Sequence, residues 1–145
     1  MIRIGVLVSG SGSNLQSIID ACGRGAIDGE VSIVLSNAKG AYALERARNR
    51  GIPTRVISPA EYPDRETFDR ELAGALHEYR VDLVALAGFM RVLTPAFLRQ
   101  FPGRIMNIHP ALLPSFPGLH VRQKAIDHGV RFSGCTVHFV DEGVD

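Results

Sequence analysis

Ile2–Cys22 reads IRIGVLVSGSGSNLQSIIDAC. Ile2–Val8 is a nearly unbroken apolar run, as expected of a strand buried on both faces. Ser9–Asn14 (SGSGSN) breaks it with glycine and serine. Leu15, Ile18, Ile19 and Cys22 then recur at helical spacing, which predicts a helix starting near Ser13 or Asn14, both good N-caps. Strand, glycine-rich loop and helix in that order open an α/β domain. The loop can offer backbone N–H groups and a helix N-terminus to an anion. Gly10 and Gly12 allow close approach, and Ser11, Ser13 and Asn14 add side-chain donors.

A dinucleotide fingerprint would need a third glycine where Leu15 stands, and an acidic residue after the second strand. That strand, Val31–Leu35, runs instead into Ser36-Asn37-Ala38-Lys39. No Gly-Lys-Ser/Thr follows the loop either, so it is not a Walker loop. A single phosphate monoester suits it better than NAD.

Outward from this unit, strands and helices keep alternating. Ala41–Arg50 reads as a helix closed by Gly51, and Thr54–Ile57 as a short strand. After the loop Pro59–Pro63, Asp64 caps a long helix with Phe68, Leu72, Leu76 and Tyr79 on one face. Arg65 in its first turn opposes the helix dipole; an exposed Arg is usually only solvated, and a misplaced one can hold an anionic ligand tail. His77, near the end of that helix, is expected to face solvent. Asp82–Ala87 is an apolar strand with the exit loop Gly88–Leu93. Thr94-Pro95 opens a short helix, Pro95–Gln100, and a strand over Arg104–His109 follows. A proline-stiffened loop runs to Gly118, a helix spans about Val121–His128, and Ser133–Val140 is the last strand. The alternation predicts a mostly parallel sheet.

Within Arg104–His109, Asn107 and His109 alternate with Ile108 and so share a face at the strand's C-terminal edge. Pro110 helps end the strand there. Ligands of open α/β sheets bind at that edge. An amide beside an imidazole can stabilise an oxyanion and move a proton. His138 reads as a structural residue that lies near this edge. Among the terminal carboxylates Asp141, Glu142 and Asp145, one folded against the edge would favour the His109 imidazolium.

The 145 residues suit one domain, and the formal net charge of +1 gives no support to a nucleic-acid or membrane surface. No apolar run reaches membrane length and no signal peptide is present. Cys22 and Cys135 form no metal-type pair and read as buried, reduced thiols, which fits a cytoplasmic protein.

SGSGSNLQSII, AGFMRVL, NIHPALLPSFPG and GCTVHFVDEGVD together resemble the glycinamide ribonucleotide formyltransferases of purine synthesis, in the family's order along nearly the whole chain. The resemblance implies a three-layer, Rossmann-like open sheet with helices on both faces. It implies transfer of the formyl group of 10-formyltetrahydrofolate to the ribonucleotide amine. Asn107 and His109 match the oxyanion contacts, with His109 as proton donor, and Asp145 matches its carboxylate partner. Gly12, Ser13, Asn14 and Gly118 match ribonucleotide contacts. Arg65, Met90, Arg91, Val92, Leu93, Asn107, Val140 and Asp141 match folate contacts. Folate is a cosubstrate, no metal is implied, and a homodimer is left open. Family members continue past Asp145 with a further strand and helix, so the expectation is a single domain over 1–145 lacking that segment, and weak or inactive without it. Rivals are the related formyltetrahydrofolate deformylase and methionyl-tRNA formyltransferase, and a binding domain without turnover. The glycine loop and near-neutral charge favour the ribonucleotide over tRNA.

Overall fold

The computed structural model describes residues 1–109 and 136–140; for residues 108, 109 and 136–138 the description is of the backbone. The elements are β1 (Ile2–Val8), α1 (Ser13–Gly23), β2 (Gly29–Ser36), α2 (Tyr42–Arg48), β3 (Thr54–Val56), α3 (Arg65–Glu78), β4 (Leu83–Leu86), α4 (Pro95–Leu98), β5 (Ile105–His109) and β6 (Thr136–Phe139). A 3-10 turn at Pro59–Glu61 precedes α3. They form one sheet in the order β3-β2-β1-β4-β5-β6, parallel throughout except for the antiparallel pair β5 and β6.

Period-two alternation along the strands divides the core in two. Leu7, Ile33 and Leu35 pack with Phe68, Leu72 and Leu76 of α3 and with Phe97 and Leu98 of α4. Ile4, Val6, Val8 and Val34 pack with Leu15 and Ile19 of α1 and with Ala43, Leu44 and Ala47 of α2. Helices therefore cover both faces, and β1 is buried from Ile4 to Val8. At Gly5 the sheet comes so close to α3 that an added Cβ would lie 2.5 Å from Leu76 Cδ2. No helix among the described residues is long and apolar enough to cross a membrane.

Several boundaries differ from the sequence reading. The cap of α1 is Gly12, at φ 78°, with no side-chain hydrogen bond, in place of Ser13 or Asn14. The second helix covers Tyr42–Arg48 and unwinds through Asn49 before Gly51, at φ 69°. Helix α4 stops at Leu98 because the next turn tightens, with Gln100 N–H bonded to Phe97 O and Phe101 N–H to Leu98 O. Strand β4 is shorter than Asp82–Ala87, although Asp82 and Ala87 N–H still donate to the carbonyls of Arg3 and Leu7. His77 is exposed, as expected, and also has partners on the helix α4 side. Its ring stacks on Phe101 at 4.8 Å, and Nε2 lies 2.8 Å from Gln100 Oε1. Cys22 is free but half-buried, and desolvation raises its thiol pKa. Cys135, the loop to Gly118 and the helix expected over Val121–His128 lie outside the described residues.

Candidate active site

The order β3-β2-β1-β4 reverses direction between β1 and β4, and at such a switch point the loops leaving the strands part and open a crevice. The loop leaving β1 is the glycine-serine loop; the loop leaving β4 is Ala87–Leu93. Strand β5 runs beside β4, with Asn107 opposite Leu86. Three of the segments singled out by sequence thus meet at one sheet edge.

Gly12 packs tightly beneath α2. A Cβ on it would lie 2.6 Å from Ala43 Cα, and its positive φ is one that other residues adopt only with strain. Gly10 O accepts from Ala43 N–H at 3.0 Å, and Gly12 O accepts the first helical bond, from Gln16 N–H, at 2.8 Å. Since Gly12 has no side chain to cap α1, the N–H groups at the start of that helix are left to another acceptor. Helices α3 and α4 contrast with it: Asp64 caps Thr67 N–H at 2.7 Å, and Thr94 Oγ1 caps Phe97 N–H at 3.4 Å.

Helix α3 grips the loop that leaves β4. Arg65 Nη2 donates to Val92 O, Arg91 lies with its guanidinium 4.7 Å from the Phe68 ring centroid, and the buried Asp69 carboxylate accepts from Thr94 N–H at 2.7 Å. Residues 65, 68 and 69 share one helix face, so three contacts hold one loop. Arg65 is therefore bound to the loop whose residues were expected to share its ligand. Met90 and Val92 are 53% and 58% exposed, whereas Leu93 is 6% exposed and packs in the core.

A single hydroxyl ties this loop to the loops leaving β1 and β2. Ser9 Oγ donates to Asn37 Oδ1 at 2.7 Å and accepts from Met90 N–H at 2.9 Å. The sequence reading missed Ser9, Asn37, Asp69 and Arg46, whose Nε donates to Ser11 O at 2.8 Å.

In the antiparallel register Asn107 faces His138 and His109 faces Thr136, so His138 belongs to the same edge as the amide. Val140 N–H bonds Ile105 O at 2.7 Å, at the opposite end of β5 from His109, and its side chain packs against the α3 core. Gly118, Asp141 and Asp145 lie outside the described residues.

A groove of about 630 Å³ lies at the other end of the sheet, around Arg3, Cys22, Glu30 and Arg50. Its cations are already engaged: Arg3 with Glu30 and Tyr79 O, and Arg50 with Asp20. The chemistry of the residues places the site at the strands' C-terminal edge instead. Among the described residues no group of three or more His, Cys, Asp or Glu could hold a metal ion.

A family model described as formyl transferase matches residues 2–145. The chain belongs to the formyl transferase family. It is 49% identical over 144 residues to the phosphoribosylglycinamide formyltransferase of Escherichia coli K12, covering 99% of this chain and 68% of that one. It is 54% identical over 145 residues to the trifunctional purine biosynthetic protein adenosine-3 of Drosophila melanogaster, covering 99% of this chain and 11% of that one. Among solved structures, glycinamide ribonucleotide transformylase 1 from Symbiobacterium toebii superposes on all of this formyl transferase chain with a TM-score of 0.98 and 56% identity, over 68% of its own length. The chain thus spans about two thirds of the single-function relatives and about a tenth of the trifunctional ones.

Proposed function

We propose that this formyl transferase carries the formyl group of 10-formyltetrahydrofolate to the amine of glycinamide ribonucleotide, a step of purine synthesis. The observation that carries the reading is the meeting, at one switch point, of an uncapped glycine loop, a helix-gripped exit loop and the Asn107 end of β5. Identity to phosphoribosylglycinamide formyltransferases supports the choice of substrates.

In this reading the glycine loop, through Gly12, Ser13 and Asn14, holds the phosphate, with Gly118 nearby. Arg65, Met90–Leu93, Val140 and Asp141 contact the folate. The amine attacks the formyl carbon, whose C=O bond becomes an oxyanion; the intermediate then collapses, re-forming C=O and breaking the bond from that carbon to the folate nitrogen. The Asn107 amide and the His109 imidazolium stabilise that oxyanion, His109 supplies the proton that the departing folate nitrogen takes up, and the proton lost by the attacking amine restores the imidazolium. Asp145 stabilises the imidazolium. The folate is spent and released as a cosubstrate. The reading also includes a cytoplasmic setting, supported by the free Cys22 thiol. Its partners are small molecules, with no nucleic acid and no membrane.

The test is formyl transfer from 10-formyltetrahydrofolate with and without glycinamide ribonucleotide. Amine-dependent formation of the formylated ribonucleotide is expected of the chain extended to the length of its single-function relatives. Folate deformylation at the same rate without the amine would replace the transferase by a hydrolase. His109→Ala should lower kcat by about 10²- to 10⁴-fold while ribonucleotide affinity stays near wild type. A change confined to KM would count against the proton-donor role.

A further inference from the structure

Arg46 belongs to α2, outside every segment that the sequence marks for ligand contact. Its guanidinium reaches across to the glycine loop. Nε donates to Ser11 O at 2.8 Å, Nη1 donates to Gln16 Oε1 at 3.4 Å, and the guanidinium carbon stands 4.9 Å from the Tyr42 ring centroid. Tyr42 packing and the Gln16 amide oxygen thus aim Nε at one carbonyl.

That carbonyl belongs to the peptide joining Ser11 to Gly12. A trans peptide is planar, with its C=O and N–H pointing in opposite directions. Fixing Ser11 O towards α2 therefore turns the Gly12 N–H away from α2. Among the described residues that N–H has no acceptor. Contact with Ala43 fixes where Gly12 sits, but does not fix the plane of the peptide before it. Glycine tolerates either sense of that plane, so the loop needs an anchor to hold one.

We infer that Arg46 is a positioning residue for anion binding: it holds the Ser11–Gly12 peptide so that the Gly12 N–H faces the substrate phosphate. This rests on the reading of the glycine loop as the phosphate site. The residue acts through the backbone and does not itself touch the anion.

The experiment is an amide NMR titration of the isotope-labelled chain with inorganic phosphate, following Gly12 and Ser13. Wild type is compared with Arg46→Met, which keeps the aliphatic stem on Tyr42 without a donor, and with Arg46→Lys, which keeps one donor. The titration is run at about 0.05 M and about 0.5 M sodium chloride, which brackets weak and strong screening. Wild-type signals should move saturably. Arg46→Met should bind phosphate about tenfold more weakly at both salt concentrations, and Arg46→Lys should come within about threefold of wild type. Should Arg46→Met fail to fold, Arg46→Gln, which cannot span the same distance, replaces it in the comparison. Equal affinity in wild type and the donor-free variant overturns the proposal. So does a loss that vanishes at the higher salt, because that marks long-range charge and not peptide orientation. A wild type whose Gly12 signal ignores phosphate refutes the phosphate loop itself, a failure distinct from that of Arg46 alone.

Discussion

Ser9 contributes one hydroxyl to the sheet edge, and both of its hydrogen-bonding roles are used, as donor to Asn37 and as acceptor from Met90. Removing it frees a backbone N–H in the exit loop of β4 and an amide oxygen in the exit loop of β2. Each such bond contributes on the order of 1 kcal/mol, so Ser9→Ala should raise the KM of both substrates by about three- to tenfold with little change in kcat. Steady-state kinetics with each substrate varied in turn would show it, and two unchanged KM values would mean the loops are held well enough by their other contacts. Nothing in the sequence announces this residue. Its partners lie 28 and 81 residues away, and Arg46 reaches a carbonyl 35 residues back. Local periodicity carries no trace of a side chain that bonds a distant backbone atom. The place of Asn107 on β5, by contrast, was legible because alternation along a strand and the following proline are both local.

Helix termini show how far element-level reading reaches. The Asp64 cap was readable, and its consequence is a pH dependence. The hydrogen bond from Thr67 N–H holds the Asp64 carboxyl below its ordinary value of 3.8. A carboxyl whose folded pKa is depressed stabilises the fold above its unfolded value, and that contribution is lost as pH falls through the folded one. The Tm of Asp64→Ala should therefore lie below wild type by a constant gap above about pH 5, and the gap should close progressively below that. A gap that persists unchanged into acid would show that the cap does not depend on the charge. The other end of α3 hides a feature that sequence does not show. Arg80 follows the helix at φ 54°, with Val81 N–H bonded to Leu76 O at 3.1 Å. A left-handed conformation costs a non-glycine residue about 1–2 kcal/mol, so Arg80→Gly should raise stability by about 1 kcal/mol in urea unfolding, part of the gain being offset by a freer unfolded chain. A lower urea midpoint would contradict it. The cap of α1 was misread for a related reason: polar side chains at Ser13 and Asn14 looked like caps, while tight packing under Ala43 demanded glycine one residue earlier.

At the scale of the whole molecule, alternating strands and helices made a mostly parallel sheet legible, and the two-sided burial of β1 follows from its apolar run. Strand order was not legible, because it depends on which crossover packs on which face. That order carries a consequence. Strand β4 separates β1 from β5, so the loop leaving β1 and the Asn107 end of β5 stand two strand spacings apart, about 10 Å. The sheet edge is thereby a ruler. A molecule gripped by its anion at one mark presents its reacting atom at the other only if its own length is right. Glycinamide and inorganic phosphate, supplied as separate molecules, satisfy each mark without being joined across the gap. The glycinamide should be formylated at no more than about 10⁻³ of the rate of the joined ribonucleotide, since the advantage of one tethered reactant over two free ones is large. Comparable rates from the separated pieces would mean that the spacing of the strands goes unused. If the rates differ as expected, selection among amines is a matter of length, set by the hydrogen-bonded distance between backbones before any side chain is consulted.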